Sequence, residues 1–341
     1  MTKILFSAVF FLARLQESIS VLISRLGNKF VKKKLANKKN QELYREILLP
    51  VIDRHLISSS FEHQLKKLGL APPDSFKSLI RVSRGKSNSS HRIEWKLNHK
   101  TTGSNFARSF GFNTPEVFQL RVPLQEIRFR KNVVIKPVTS SGSVGVYIYH
   151  NNNKIWDIKN EKYLNDLETL TTTIEKLLGK NKFKDSWIVE EYISNSNGLP
   201  QRDFKFYTFY GEVMLIQETE IIPELRYCYW DRKLNIIKDV RTDKSKSFVG
   251  DGLDPDFIKK IEAFSLEIPT PFIRIDFLSS NGNFYFNEFA PAPGSHSQFN
   301  KNIDKKLGKA FVEAERRLYE DQLALKSFNF VKEFLNSQAH N

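Results

Sequence analysis

The stretch "PFIRIDFLSSNGNFYFNEFAPAPGS", residues 271–295, restricts the fold more than any other part of the chain. Two runs rich in Phe and Ile flank an Asn-Gly pair, a strong short-range signal for a hairpin. Both runs therefore belong to a sheet packed on a core. Yet the first carries Arg274 and Asp276, and the second carries Asn287 and Glu288. Burying an unpaired carboxylate costs several kcal/mol or more, so these charges must meet a salt-bridge partner, a metal ion or a substrate. Register decides which. A two-residue turn, Asn281-Gly282, sets Asp276 opposite Asn287 and points Glu288 to the other face. A three-residue connection, or a bulge equivalent to it, sets Asp276 opposite Glu288. We expect the latter, because only then can both carboxylates share one cation.

The 341 residues are 40% hydrophobic, enough for a sizeable core in two or three lobes. Cys228 is the sole cysteine, which excludes an intramolecular disulfide and a cysteine zinc cluster and fits a reducing compartment. No uninterrupted run of 18 apolar residues exists, so no transmembrane helix is expected. The expected location is cytoplasmic, with peripheral attachment to the inner face of a membrane as a variant of it.

The net charge of +15 is unevenly placed: residues 1–40 hold nine basic side chains and one acid, Glu17. Within this arm, Leu5, Ala8, Leu12, Leu15, Ile19, Leu22 and Leu26 recur at steps of three and four, one apolar seam on a helix. "NKFVKKKLANKK" gives it a cationic end. Three readings stand side by side: packing on its own domain or a sister chain (a dimer), an interfacial helix over residues 1–35 on an anionic membrane, and a secretory signal peptide. No small-residue cleavage motif follows, which weighs against the last. Nucleic acid is not expected as a partner, because the arm lacks aromatic interleaving and any recognised module.

Residues 41–99 read as short helices, and strands dominate from 131 onward, with a polar helix-like stretch over 161–180 and a helical end over 303–335. In "VVIKPVTSSGSVGVYIY" a strand delivers Lys136 into a loop of small residues that lets backbone N–H groups approach an anion. An ordinary flexible hairpin explains that segment equally well. "WIVEEYI" ends an apolar strand on Glu190, Glu191 and Tyr192. In "RDFKFYTFYGEV" the alternation puts Asp203, Lys205 and Tyr207 on one face, as a solvated strand face also would. Asp276 and Glu288 form an oxygen set suited to Mg²⁺ completed by waters and phosphates. The competing reading is a buried salt bridge to Arg274.

Together these segments, over about residues 100–300, resemble the ATP-grasp superfamily. The closer resemblance is to its branch linked with teichuronopeptide and surface-polysaccharide synthesis, through "DFKFYTFYGEV", "DRKL" and "RIDFLSSNGNFYFNEFAPAPG". The resemblance implies an α+β fold whose two lobes, 100–190 and 191–335, clamp ATP, preceded by the arm 1–40 and a mainly helical region 41–99. It implies that Lys100, Lys136 and the Gly-rich loop with Ser141, Gly142, Ser143 and Gly145 hold the phosphates. Glu190 and Tyr192 would meet adenine through backbone atoms, with Glu191 and Asp203 near the ribose. Asp276 and Glu288 would bind Mg²⁺, Lys205 and Arg274 would stabilise the transferring phosphoryl group, and Gly294, Ser295 and His296 would line the acceptor side. Where the family pattern has Asn two residues after the metal-binding Glu, this chain has Ala290, which leaves one metal ion or two open.

The function so implied is an ATP- and Mg²⁺-dependent carboxylate–amine ligase that works through an acyl phosphate. It would join an amino acid or amine to a uronic-acid-containing surface polysaccharide or its precursor. Two other readings remain: a kinase on a sugar or polysaccharide, and a non-catalytic membrane-apposed scaffold of polysaccharide assembly.

Overall fold

The computed structural model describes residues 75–85, 92–140, 142–194, 201–221, 224–243, 246–294 and 298–339. The arm 1–40, most of 41–99, and Ser141, Ser295 and His296 lie outside the described residues. The chain divides into two units, Met1–Asn88 and Ser89–Asn341. In the first, the described residues form one helix, α1 (Phe76–Gly85), whose first turn is capped by Ser75 Oγ accepting from Ser78 N at 3.3 Å.

The second unit begins with helices α2 (Ile93–Leu97) and α3 (Lys100–Ser109), and α3 stops at Gly111, whose φ of +88° suits a residue without Cβ. A six-stranded sheet follows, in the order β1-β6-β2-β3-β4-β5. Its strands are β1 (Val117–Val122), β2 (Val133–Pro137), β3 (Tyr147–Asn151), β4 (Lys154–Asp157), β5 (Lys162–Leu164) and β6 (Trp187–Glu191). The helix expected over 161–180 is shorter, α4 (Leu167–Gly179), because Asp166 accepts from Thr169 N at 2.6 Å and caps it, while the residues before it pair as β5. Alternation divides the sheet: Val133, Ile135, Tyr147, Ile155 and Val189 bury against Leu170 and Ile174 of α4, leaving Val134, Lys136, Ile148 and Glu190 for the opposite face.

The second sheet runs β10-β9-β8-β7-β11-β12. Its strands are β7 (Arg202–Thr208), β8 (Val213–Glu220), β9 (Arg226–Trp230), β10 (Lys246–Ser247), β11 (Ile273–Ser280) and β12 (Asn283–Ala290). Helix α5 (Pro255–Leu266) starts with Asp254 as cap and Pro255 in its first turn. Much of the chain's phenylalanine serves this lobe. Phe264 of α5 stacks on Phe106 of α3 at 5.4 Å and meets Phe112 at 4.9 Å, and Phe112 reaches Phe277 of β11 at 4.9 Å. The C-terminal helical stretch is two helices, α6 (Lys301–Leu323) and α7 (Asn329–Ala339), separated at Leu325, which has φ +58°. Among the described residues no helix is long and apolar enough to cross a membrane.

Candidate active site

The opening hairpin uses a device that reconciles both sequence signals. The turn is the two-residue one: Ser280 pairs with Asn283, and Asn281 and Gly282 have φ of +50° and +79°, as a type I′ turn requires. The three-residue connection is not formed. Instead the register shifts between Asp276 and Phe277, leaving Asn287 as an extra residue, and Asp276 stands opposite Glu288. Both carboxylates thus share a face.

On that face a row crosses the sheet. Asp276 pairs with Glu288 on one side and with Lys205 on the other; Lys205 pairs with Gln217, and Gln217 with Tyr229. The alternation in "DFKFYTF" places Asp203, Lys205 and Tyr207 on this face as expected, while Phe204 and Phe206 enter the core. The charges form a continuous chain of alternating sign. Lys205 Nζ contacts Asp203 Oδ2 and lies 3.4 Å from Asp276 Oδ2. Arg274 donates from Nε to Asp276 Oδ1 at 2.7 Å and from Nη2 to Asp276 Oδ2 at 2.5 Å, and the same Nη2 reaches Glu288 Oε1 at 3.5 Å. The salt bridge set against the metal reading is therefore present.

Burial sets the protonation behaviour. It pushes the Asp203 carboxyl up, with Lys205 opposing. It would by itself lower the Lys205 ammonium, but Asp203 and Asp276 overturn that and hold it above the ordinary lysine range. Glu288 is raised by burial and then by Asp276 beside it. Lys205 thus remains a fixed positive charge at neutral pH.

The facing sheet supplies the other wall. Lys136 forms an ion pair with Glu190, its diagonal neighbour on the β2–β6 ladder, and Lys100 Nζ donates to Pro137 O at 2.7 Å. Burial first, and the nearby Lys136 charge second, push the Lys100 ammonium down to about 8. A cavity of about 180 Å³ is lined by Lys100, Lys136, Glu190, Phe286 and Asn287. In the Gly-rich loop, Gly142, Ser143 and Gly145 all have positive φ, and a Cβ on Gly145 would come within 2.8 Å of the Phe183 ring. Glu191 accepts from Glu116 N, and Tyr192 packs with Ile148 and Trp156. Ser280 Oγ donates to Ser194 O at 2.6 Å, tying the second sheet to the segment after β6. Gly294 closes the described part of the loop after β12 and is exposed.

Two observations bear on what the cleft holds. Asp203 Oδ1 and Tyr192 Oη are buried without a hydrogen-bond partner among the described residues, and an unmet buried polar atom costs about 1–3 kcal/mol. Asp203 belongs to the charge row itself, beside Lys205, and Tyr192 follows directly on Glu190 and Glu191. For a cation, no group of three or more His, Cys, Asp or Glu suited to a metal occurs among the described residues. Asp276 and Glu288, aimed at one nitrogen, fit an ion that draws its remaining ligands from water and phosphate.

The sequence model of the family described as TupA-like ATPgrasp matches residues 78–312, well over half of the chain. The chain belongs to the TupA-like ATP-grasp family. ATP-grasp enzymes use ATP and Mg²⁺. No curated protein matches this TupA-like chain. Solved structures similar to it include the D-alanine–D-alanine ligase of Helicobacter pylori, at 14% identity and TM-score 0.36, covering 63% of this chain and 58% of that one. The D-alanine–D-alanine ligase of Bacillus anthracis complexed with ATP gives 17% identity and TM-score 0.39, covering 67% and 69%. The ATP-grasp ligase PsnB complexed with a minimal precursor gives 14% and 0.40, covering 81% and 74%. The TupA-like chain thus spans little more than half of the H. pylori enzyme.

Sequence reasoning passed over Gln217 and Thr219. The segment "EVMLIQETE" ends in four consecutive polar residues, so its pattern does not say which of them share a face; pairing with Lys205 and Asp203 puts Gln217 and Thr219 on the cleft face, at 2% and 3% exposure.

Proposed function

We propose that the protein is an ATP- and Mg²⁺-dependent carboxylate–amine ligase that activates a carboxylate as an acyl phosphate, attaching an amino acid or amine to a uronic-acid-containing surface polysaccharide or its precursor. The observation that carries this reading is the charge chain Asp203–Lys205–Asp276–Arg274–Glu288 on the floor of a cleft whose other wall bears Lys100 and Lys136. Chemistry that transfers a phosphoryl group depends mainly on positioning and on fixed charge around it. The two lysines and the Gly-rich loop would bind the triphosphate, with Glu190, Glu191 and Tyr192 at the base and ribose. Mg²⁺ bound at Asp276 and Glu288 would neutralise charge on the phosphates. Arg274, held beside both acids, would stabilise charge on the transferring group. Lys205, held charged by two carboxylates, would stabilise the same oxygens from the neighbouring strand. The family-branch resemblance, and not the geometry, motivates the uronic acid and polysaccharide.

ADP release measured with a uronic acid, with and without an amine, tests the reading. Amide product with amine-stimulated ADP release is the expected result. A phosphorylated product unaffected by amine makes the protein a kinase, and failure to bind ATP makes it a scaffold.

A further inference from the structure

The polar row of the cleft floor does not end at Lys205. Beyond it lie Gln217 and Tyr229, both nearly inaccessible, with Tyr229 Oη 3.3 Å from Gln217 Oε1. After β9 the chain folds back, and Arg241 comes to rest against this end of the row. Its guanidinium lies 4.6 Å from the centre of the Tyr227 ring, and Asp243 accepts from its Nε and Nη2. Its remaining edge, Nη1, faces Tyr229 Oη at 3.5 Å. Arg241 also bridges to Phe299, with Thr242 N donating to Gln298 O and Asn300 N to Val240 O. Phe299 in turn packs on Tyr207 at 5.4 Å. The segment 240–242 is thus tied to the far end of the loop that leaves β12, and through Phe299 to Tyr207, the ladder partner of Arg274.

We propose that Arg241, oriented by Asp243 and seconded by Tyr229, binds a carboxylate that the amine acceptor brings and keeps, so that the acceptor is an amino acid and not a simple amine. This rests on the ligase reading above. Three features carry it. The cations at the reacting end, Lys205 and Arg274, are both engaged with carboxylates in a chain of three acids and two bases, so a second carboxylate arriving there meets repulsion. Arg241 is a cation on the same floor that none of those acids touches, and the bidentate grip of Asp243 together with the tyrosine ring fixes its plane before any ligand arrives. Strands β7 and β9 are two spacings apart, about 10 Å, and Tyr229 leans back over Gln217, so one small molecule can reach both Arg241 and Lys205.

The test uses the full chain, ATP, Mg²⁺, and glucuronate or galacturonate as the acid. Acceptors are supplied as pairs that differ only in the carboxylate: alanine against alaninamide, glutamate against its α-amide, lysine against cadaverine. Amide product and ADP are both measured. The parent should prefer the acid of at least one pair. Arg241→Gln should raise its KM about tenfold or more, the loss of one charge-assisted contact, and erase the preference over the amide. Arg241→Lys should restore part of it, and Tyr229→Phe should show a smaller rise. Equal use of acid and amide by the parent overturns the inference, as does an Arg241→Gln variant whose kcat falls for both members of a pair at unchanged KM, the mark of a merely structural residue. No amide from any pair sinks the ligase reading and this inference together; amide formation indifferent to the carboxylate sinks the inference alone.

Discussion

Asp276 faces Glu288 across the β11–β12 ladder because Asn287 is bulged out of it. Were Asn287 held in a regular ladder instead, the tight Asn281-Gly282 turn would set Asp276 against that neutral side chain and send Glu288 into the phenylalanine core, where an unpaired carboxylate is costly. The bulge keeps Glu288 in the cleft, where Arg274 Nη2 touches both acids.

Removing that guanidinium separates its structural from its chemical work. Asp276 is fully buried and Arg274 nearly so, and breaking a buried pair costs about 3–5 kcal/mol. Arg274→Ala is expected to lower the denaturation midpoint accordingly. Mg²⁺ should then raise the melting temperature of the variant more than that of the parent, since binding to the native state alone stabilises it and the freed carboxylates no longer share their oxygens with Arg274. Thermal scans with and without millimolar Mg²⁺ decide this; equal shifts in both proteins would remove the metal from Asp276 and Glu288.

Among the described residues, Lys136 is ion-paired with Glu190 and sits on the strand entering the Gly-rich loop. Lys136→Ala should lose charge-assisted phosphate contacts worth about 1.5–3 kcal/mol, a tenfold or greater loss of ATP affinity. Calorimetric titration reads it directly, and an unchanged affinity takes Lys136 out of the site.

Lys100 gives nucleotide binding a pH dependence of fixed sign. Burial and Lys136 bring its ammonium down to about 8, whereas a bound triphosphate favours the charged form and raises it. Binding therefore takes up a proton around pH 8, and ATP affinity should fall as pH rises through 8 and beyond. The same depression below the ordinary 10.5 means the unfolded chain binds more protons between those values, so this group's contribution to stability rises with pH across that window. Dissociation constants from pH 7 to 9.5 should show the fall, and Lys100→Met should flatten it. A slope that survives the substitution assigns the titration elsewhere.

Gly282→Ala tests the turn independently of chemistry. Nothing lies within 4 Å of the added Cβ, so the cost is the backbone's alone. At φ +79° an L-residue loses about 1–2 kcal/mol. Urea denaturation should show a loss in that range with an unchanged slope; no loss would mean the turn has relaxed to another type.

The sequence made the cleft face legible wherever polar residues alternate with large apolar ones, as in Asp203–Lys205–Tyr207 and Arg274–Asp276, because side-chain period two is local information. The bulge was only half legible: the Asn-Gly pair asked for one register and the shared carboxylates for another, and a single sequence does not say that both are met. Strand β5 was hidden because a three-residue strand gains its pairing from β4 and not from its own pattern. Arg241 was invisible for a related reason. It stands in "DVRTDK", a polar run without period, and only pairing with residues almost sixty positions away brings it to Tyr229.

That long-range pairing also gives the loop after β12 two fixed posts, Ala290 at one end and Phe299, bridged to Arg241, at the other. A loop anchored so can exchange the residues between its posts while the floor that carries Lys205, Arg274 and Asp276 keeps its register. On the ligase reading proposed above, grafting a different span over 291–297 is expected to change which acceptors are used while ATP binding is kept, a fixed engine with an interchangeable mouth.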